Sequence, residues 1–316
     1  MYQSFVDRMI QYARRPELRE RPVRTLLRRS YFEAVGRVAP KRLTTLHRSR
    51  LRFTPYVFDA PLSESVGRSL FLYGVYEPLA TDVFSSLLAP GDSAIDVGAH
   101  YGDFTLVAAA KVGTSGSVLA FEPQDEVRAV LENNVRINGI RQVRVFPDAL
   151  GDRTGEARLY TASNVLHTGG ASLSAAHVGQ SDRYAVVPVR RLDDVVPDAT
   201  RSAFRAIKID VEGAEAAVLR GASTLIDRSQ PAVLFEANNL FRNNAGFDSE
   251  AFSVLRDHGY VLYGMRPDSK HRFIVEPLDP TRDPTEFREP WLALNLLAVV
   301  PGSPCHNRLS SAGHLR

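Results

Sequence analysis

The stretch from Asp92 to Glu122, DSAIDVGAHYGDFTLVAAAKVGTSGSVLAFE, constrains the fold more than any other part of the sequence. A short apolar run, Ala94 to Val97, breaks at Gly98, resumes with helical spacing through Phe104, Leu106, Val107 and Ala110, and returns to a strand at Val118 to Phe121 that ends on Glu122. Strand, glycine turn, helix and strand make one βαβ unit, and parallel strands joined in this way bind ligands beyond their carboxyl ends. An acid closing the second strand suits a pair of ribose hydroxyls, so the unit is built to hold a nucleoside.

The turn narrows the choice. A pyrophosphate needs G-x-G-x-x-G so that backbone N–H groups approach two phosphates, but here the order is Asp96-Val97-Gly98-Ala99-His100-Tyr101-Gly102 and the middle glycine is missing. Asp96 stands before the turn, where it repels phosphate and attracts a cationic amine. An adenosine carrying an amino acid is therefore favoured over a dinucleotide. A nicotinamide-dependent dehydrogenase is the alternative from another enzyme class, and a non-catalytic binding protein on the same fold is a third reading.

The rest of the chain continues the alternation. Gly74-Val75-Tyr76-Glu77 follows a strand-like run, Ser69 to Tyr73, and sets Tyr76 and Glu77 at a turn before a helix from about Leu79 to Leu88. A helix from Gln124 to Asn138 precedes a strand at Val143 to Phe146, after which Asp148 either accepts from an adenine amino group or serves as a turn residue. Gly155 to Tyr160 and Tyr184 to Val189 read as paired strands, joined by a polar loop, Ser163 to Ser181, that carries His167 and His177. Strands Ala206 to Ile209 and Ala232 to Phe235 end in Asp210-Val211-Glu212-Gly213 and Glu236-Ala237-Asn238-Asn239, and a helix from Ala214 to Asp227 lies between them. A helix near Ser249 to Asp257, a strand at Tyr260 to Tyr263, an insertion through Pro290 and a strand at Leu294 to Val300 complete the pattern. The expected fold is a three-layer α/β/α, Rossmann-like domain over residues 53–300 with a seven-stranded, mostly parallel sheet. A helical extension precedes it at 1–52 and a loose tail follows at 301–316.

Charge separates these parts. Residues 1–52 hold thirteen Arg and one Lys against Asp7, Glu17, Glu20 and Glu33, a balance of +10 that leaves −7 for residues 53–316 in a chain of net charge +3. Val23, Leu27, Tyr31 and Val35 recur every four residues with Arg24, Arg28 and Arg29 between them, which suits peripheral contact with an anionic membrane or a lid docked on the main domain. The mildly acidic remainder is unlike a nucleic-acid binder. One cysteine, Cys305, excludes a disulfide framework. The N-terminus lacks the apolar core of a secretory signal, so the cytoplasm is expected.

The chain resembles the FkbM family of class I S-adenosylmethionine-dependent methyltransferases. The resemblance rests on Gly74-Val75-Tyr76-Glu77, Pro90-Gly91-Asp92, the turn from Asp96 to Gly102, Glu122-Pro123, Ala149-Leu150-Gly151-Asp152, Leu192-Asp193-Asp194, the string from Ile207 to Glu215 and Pro231 through Glu236. The family more often has Asn where this chain has His100. The resemblance implies S-adenosyl-L-methionine as cofactor and O-methylation of a small-molecule, sugar, glycolipid or secondary-metabolite hydroxyl. The cofactor-binding candidates are then Tyr76, Glu77, Asp96, Gly98, Ala99, His100, Gly102, Glu122, Pro123, Asp148, Ala149 and Asp210.

Methyl transfer to an alcohol needs the oxygen aligned behind the methyl and a base within reach of the proton. Asp210 is the first candidate, with Glu212 and Glu236 beside it and His100 and His167 as further bases. The competing role for Asp210 and Glu212 is capping the helix that follows. Three carboxylates with Asn238 are oxygen donors of the kind Mg²⁺ takes, but their spacing is not a metal motif and no metal site is assigned. Lys208, in an otherwise apolar strand, is expected to pair with a neighbouring carboxylate.

Overall fold

A computed structural model describes residues 22–161, 170–173, 183–237, 249–267, 273–279 and 294–316. The chain divides into two compact units between Tyr76 and Glu77.

The first unit runs through α1 (Pro22–Val38), a 3-10 turn (Pro40–Thr44), β1 (Leu46–Arg50), β2 (Val57–Pro61) and α2 (Ser65–Tyr73). The basic extension, expected to be helical to residue 52, thus ends in a strand. β1 pairs antiparallel with β2, and Arg48 donates two hydrogen bonds to Asp59 across the hairpin at 2.8 and 2.7 Å. The strand expected at Ser69 to Tyr73 is the last part of a helix. Gly74 stops it in the left-handed region at φ +80°, its N–H donating to the Leu70 carbonyl. A glycine after an apolar run reads equally as a strand-ending turn, which is why the two were confused.

The second unit contains α3 (Pro78–Ser86), β3 (Ser93–Val97), α4 (Asp103–Val112), β4 (Ser117–Phe121), α5 (Asp125–Ile137) and β5 (Val143–Phe146). There follow the short β6 (Ala149–Leu150), β7 (Gly155–Tyr160), β8 (Tyr184–Arg190), α6 (Leu192–Val195), β9 (Phe204–Ile209), α7 (Glu215–Arg220), α8 (Ser223–Ser229) and β10 (Ala232–Glu236). α9 (Glu250–Asp257), β11 (Val261–Pro267), β12 (Phe273–Pro277), β13 (Asn295–Val299) and α10 (Pro304–Ser311) complete it. The main sheet has eight strands in the order β12-β11-β13-β10-β9-β3-β4-β5, and β6, β8 and β7 form a small second sheet.

The five strands from β5 to β10 are parallel, while β13, β11 and β12 join antiparallel. This is the three-layer, mostly parallel, Rossmann-like sheet expected from the sequence, with one strand more. The eighth, β12, lies in the stretch read as an insertion and forms a hairpin with β11. Its buried Phe273, Ile274 and Val275 carry the signal, which Pro and charged residues on either side obscured.

Two further expectations are corrected. The helix from Ala214 to Asp227 is two helices, broken at Gly221, where a Cβ would lie 1.9 Å from the Gly151 carbonyl oxygen. The tail from Pro301 is ordered: α10 buries Cys305 and Leu309, and the Val275 N–H donates to the His314 carbonyl.

Parallel strands covered on both faces are apolar along their whole length. Ile95, Val97, Ile207, Ile209, Val233 and Phe235 are all buried in one core, joined by Phe121 stacked on Phe146 at 4.7 Å. Phe235 also meets Phe252 of α9 edge to face at 5.8 Å. Removing its ring from this packed layer opens a cavity between sheet and helix. Phe235→Ala is expected to lower unfolding free energy by about 3–5 kcal/mol, read from urea denaturation, with the slope of the transition unchanged.

Candidate active site

In this strand order the chain runs outward from β3 to β4 and β5, then returns to β9 and moves the other way to β10. The reversal between β3 and β9 is the topological switch point, where an open α/β sheet leaves a crevice at the carboxyl ends of its strands. The turn after β3 and the segment after β9 border it.

The turn is shaped by close approaches of backbone. The N–H groups of Gly98 and Ala99 both donate to the Phe121 carbonyl at 3.0 Å, and Gly102 N–H donates to the Ala99 carbonyl. Gly98 has φ +76°, and a Cβ there would lie 1.9 Å from the Asp210 carbonyl oxygen. Gly102, at φ +92°, would meet Leu131 Cδ1 at 2.3 Å. Gly98 is therefore required by the Asp210 backbone beside it, and Gly102 by its left-handed φ. His100 also takes a left-handed φ, +49°, a conformation that Asn, Asp and His adopt more readily than other side chains.

Glu122, at the end of β4, is buried and accepts from His100 N–H through Oε2 and from Gln124 N–H through Oε1, each at 2.9 Å. It ties the turn after β3 to the start of α5. Burial pushes its carboxyl up to about 7 despite these two donors. Arg128 closes the same corner by donating to the Glu122 carbonyl.

Lys208 lies opposite Asp96 in the β3–β9 ladder. Its side chain is 7% exposed, its Nζ donates to Asp210 Oδ2 at 3.0 Å and rests 4.9 Å from the centre of the Phe104 ring. Burial alone would lower an ammonium, but Asp210, Asp96, Asp103 and Glu77 outweigh it and raise Lys208 above its ordinary value. Asp96 accepts from Thr105 Oγ1 at 2.6 Å through Oδ2, whereas its buried Oδ1 has no hydrogen-bond partner. Burial raises Asp96 against the pull of Lys208 and Thr105, and raises Asp103 to about 7.

At the strand ends Asp210 and Glu236 form a coupled pair. Burial works against ionising Asp210, yet Lys208 and a hydrogen bond from Glu236 hold it below its ordinary value. Burial and the Asp210 charge together push Glu236 well above its own. The two carboxyls are thus pushed in opposite directions, Asp210 toward its charged form and Glu236 toward its neutral one. Oxygens of Asp210, Glu212 and Glu236 lie within 4.8 Å of one another, close enough for their charges to repel.

The remaining candidates fall as follows. Glu212, at φ +50°, receives Ser172 Oγ on its carbonyl at 2.7 Å. The helix after them begins at Glu215, whose own carboxylate accepts from Gly213 N–H at 3.0 Å. His100 is held neutral, burial lowering it to about 4, which makes it a weak base. Glu77 is buried and accepts from Asn295 Nδ2 at 3.1 Å. Asp148 and Ala149 are buried beyond β5, and Pro123 is half-buried. Tyr76 is half-buried and ends the first unit. His167 and Asn238 lie outside the described residues. Asp103, Thr105 and Asn295 were missed; of these only Asp103 had a signal, an acid in the first turn of a helix following the glycine turn.

Residues 96–262, more than half of the chain, match the family model of the methyltransferase FkbM domain. A curated relative, Methyltransferase 1 of Beauveria bassiana (strain ARSEF 2860), is 29% identical over 197 residues, covering 57% of this chain and 76% of that protein. Among solved structures, methyltransferase FkbM from Methylobacillus flagellatus KT is similar at 20% identity and a TM-score of 0.44. That likeness covers 72% of this chain, which spans 49% of the solved one. A SAM-dependent O-methyltransferase from Thermotoga maritima is similar at 15% identity and a TM-score of 0.38, over 72% of this chain and 66% of that one. The switch-point sheet is that of a class I methyltransferase. The chain belongs to the FkbM methyltransferase family, and S-adenosyl-L-methionine is its methyl donor.

Asp103 offers a test of the buried charge. A carboxyl raised from its ordinary 3.8 to about 7 binds more protons folded than unfolded, so its contribution to stability falls as pH rises through that window. Asp103→Asn removes the titration. The urea midpoint of the variant minus that of the wild type is expected to grow from pH 4 to pH 7.5 and then level off; a difference independent of pH would contradict the burial of this charge.

Proposed function

We propose that this chain transfers the methyl group to a hydroxyl oxygen of a sugar, glycolipid or secondary-metabolite acceptor, with Asp210 as the base. The observation that carries the reading is the placement of Asp210. It is 29% exposed at the switch point, bonded by the Lys208 ammonium at 3.0 Å and beside Glu236, and Lys208 holds its carboxyl below the ordinary range against the cost of burial.

The donor set fits S-adenosylmethionine. The buried, unpartnered Asp96 Oδ1 suits the ammonium of the methionine moiety. Glu122 keeps one lone pair on each oxygen beyond its two amide bonds, enough for ribose hydroxyls. Asp148, past β5, is on the side where the adenine amino group would lie. When bound, the cofactor supplies a methyl group on a positively charged sulfur. The chain's own part is to hold the acceptor oxygen in line and receive its proton as the C–O bond forms. Asp210 receives that proton, and Glu236 and Glu212 orient the hydroxyl beside it. A base with a lowered pKa suffices because the alcohol becomes acidic only as its oxygen is alkylated, so the proton moves late.

A lipid-linked acceptor is supported by the first unit. Leu27 and Val38 on α1 are 67% and 86% exposed, and Arg37, Lys41 and Arg42 are exposed nearby, the mixture that an anionic membrane surface attracts. Among the described residues no helix is long and apolar enough to cross a membrane.

With methyl-labelled S-adenosylmethionine and a panel of p-nitrophenyl glycosides and glycolipids as acceptors, the wild type is expected to produce an alkali-stable methyl ether. Asp210→Asn should lower turnover by about 10²–10⁴-fold while S-adenosylhomocysteine still binds by calorimetry. Full turnover in the variant, or label lost in mild alkali as from an ester, would overturn the reading.

A further inference from the structure

Lys208 is the one basic side chain that the strands of the switch point bury, and an apolar residue would satisfy the packing of β9 at that position. Its neighbours show what the charge is for. The ammonium bonds Asp210 at 3.0 Å from the same strand, lies across from Asp96 on β3, and covers the face of Phe104 on α4. The ring contact fixes the lysine stem, and the pairing in the ladder fixes its height relative to the turn that binds the cofactor. Asp210, just past the last ladder residue of β9, lacks the constraint of a strand on its side chain; its N–H is held by the Val97 carbonyl at 3.0 Å.

We propose that Lys208 is a positioning residue for methyl transfer, whose ammonium, bonded to Asp210 and braced by Phe104, holds that carboxylate charged and in place for the acceptor. It acts through Asp210 and touches neither acceptor nor donor. The inference rests on the reading of Asp210 as the base. Without Lys208, Asp210 would face Glu236 on β10, Glu212 and Glu215 beyond β9, Asp96 on β3, Asp103 on α4 and Glu77 before α3, all acidic. His100, the remaining titratable neighbour, is held neutral. In that company Asp210 would take up a proton and lose its acceptor role at neutral pH.

The test follows the Asp210 carboxyl by carbon NMR in protein labelled at the aspartate side-chain carboxyl, with Asp210→Asn used to assign the signal. Lys208→Met is expected to raise the titration midpoint by about two pH units or more, and Lys208→Arg to keep it near the wild-type position. A midpoint unmoved in Lys208→Met overturns the proposal. Should Lys208→Met fail to fold, the double variant Lys208→Met with Asp210→Asn, which removes both charges, is expected to recover a cooperative unfolding transition; no recovery means that Asp210 is not the partner that matters, and the proposal falls. The base assignment fails separately, if Asp210→Asn keeps full methyl transfer while Lys208→Met still shifts the Asp210 titration.

Discussion

The parallel register that sets Lys208 opposite Asp96 does more than close a ladder, because it buries an ammonium where the sheet would otherwise hold only apolar side chains. A buried cation is tolerated only when paired. Here the pairing is shared among Asp210, Asp96, Asp103 and Glu77, which come from β9, β3, α4 and the residue ahead of α3. The cluster thus draws four separate parts of the second unit to one point at the carboxyl edge. The edge is also over-supplied with acid, since a single ammonium cannot neutralise that many carboxylates. Burial offsets part of the excess by pushing the carboxyls of Glu236, Asp103 and Glu122 above their ordinary values, toward the neutral form.

Such an edge suits the chemistry of a cationic donor. A site that keeps unneutralised acid in a low-dielectric surrounding attracts positive charge strongly, and the Asp96 oxygen without a partner is the local expression of that surplus. The same surplus explains why Glu122 holds two backbone amides: charge-assisted bonds from the turn and from α5 are what permit a carboxylate to be buried there.

Much of this was legible in the residues. The βαβ unit showed because its strands are apolar on both faces and its turn is marked by glycines, so period and punctuation agree. The acids Asp210 and Glu236 were placed together correctly because each ends an apolar run, and parallel strands put such ends at one edge. What could not be read was anything set by packing across elements. The strand β12 is short and flanked by charge, and its partner β11 alone explains why it is one. Ser69 to Tyr73 has too few residues for its period to separate helix from strand, and the first unit's hairpin, crossed by the Arg48–Asp59 pair, has no local pattern that announces it. Lys208 could be expected to pair with an acid, but the choice of Asp210 and the share of Asp96 and Asp103 follow from the ladder and the helix start together. The upward push on the Glu236 carboxyl follows from burial and the neighbouring Asp210 charge, which a sequence does not state.

The glycine turn and the segment after β9 lie far apart in the chain, yet neither is free to vary alone. Gly98 must lack a side chain because the Asp210 carbonyl occupies the space, and the Asp210 N–H is bound by the carbonyl of Val97, the residue before that glycine. The cofactor turn and the candidate base are therefore fastened to each other through main chain, with Lys208 fastening the side chain above. A displacement of either by a few tenths of an ångström would be passed to the other, since close-packed backbone has no slack to absorb it. This coupling gives a physical reason why the glycine turn and the segment from Lys208 to Gly213 cannot vary independently: each needs space or a bond that the other supplies.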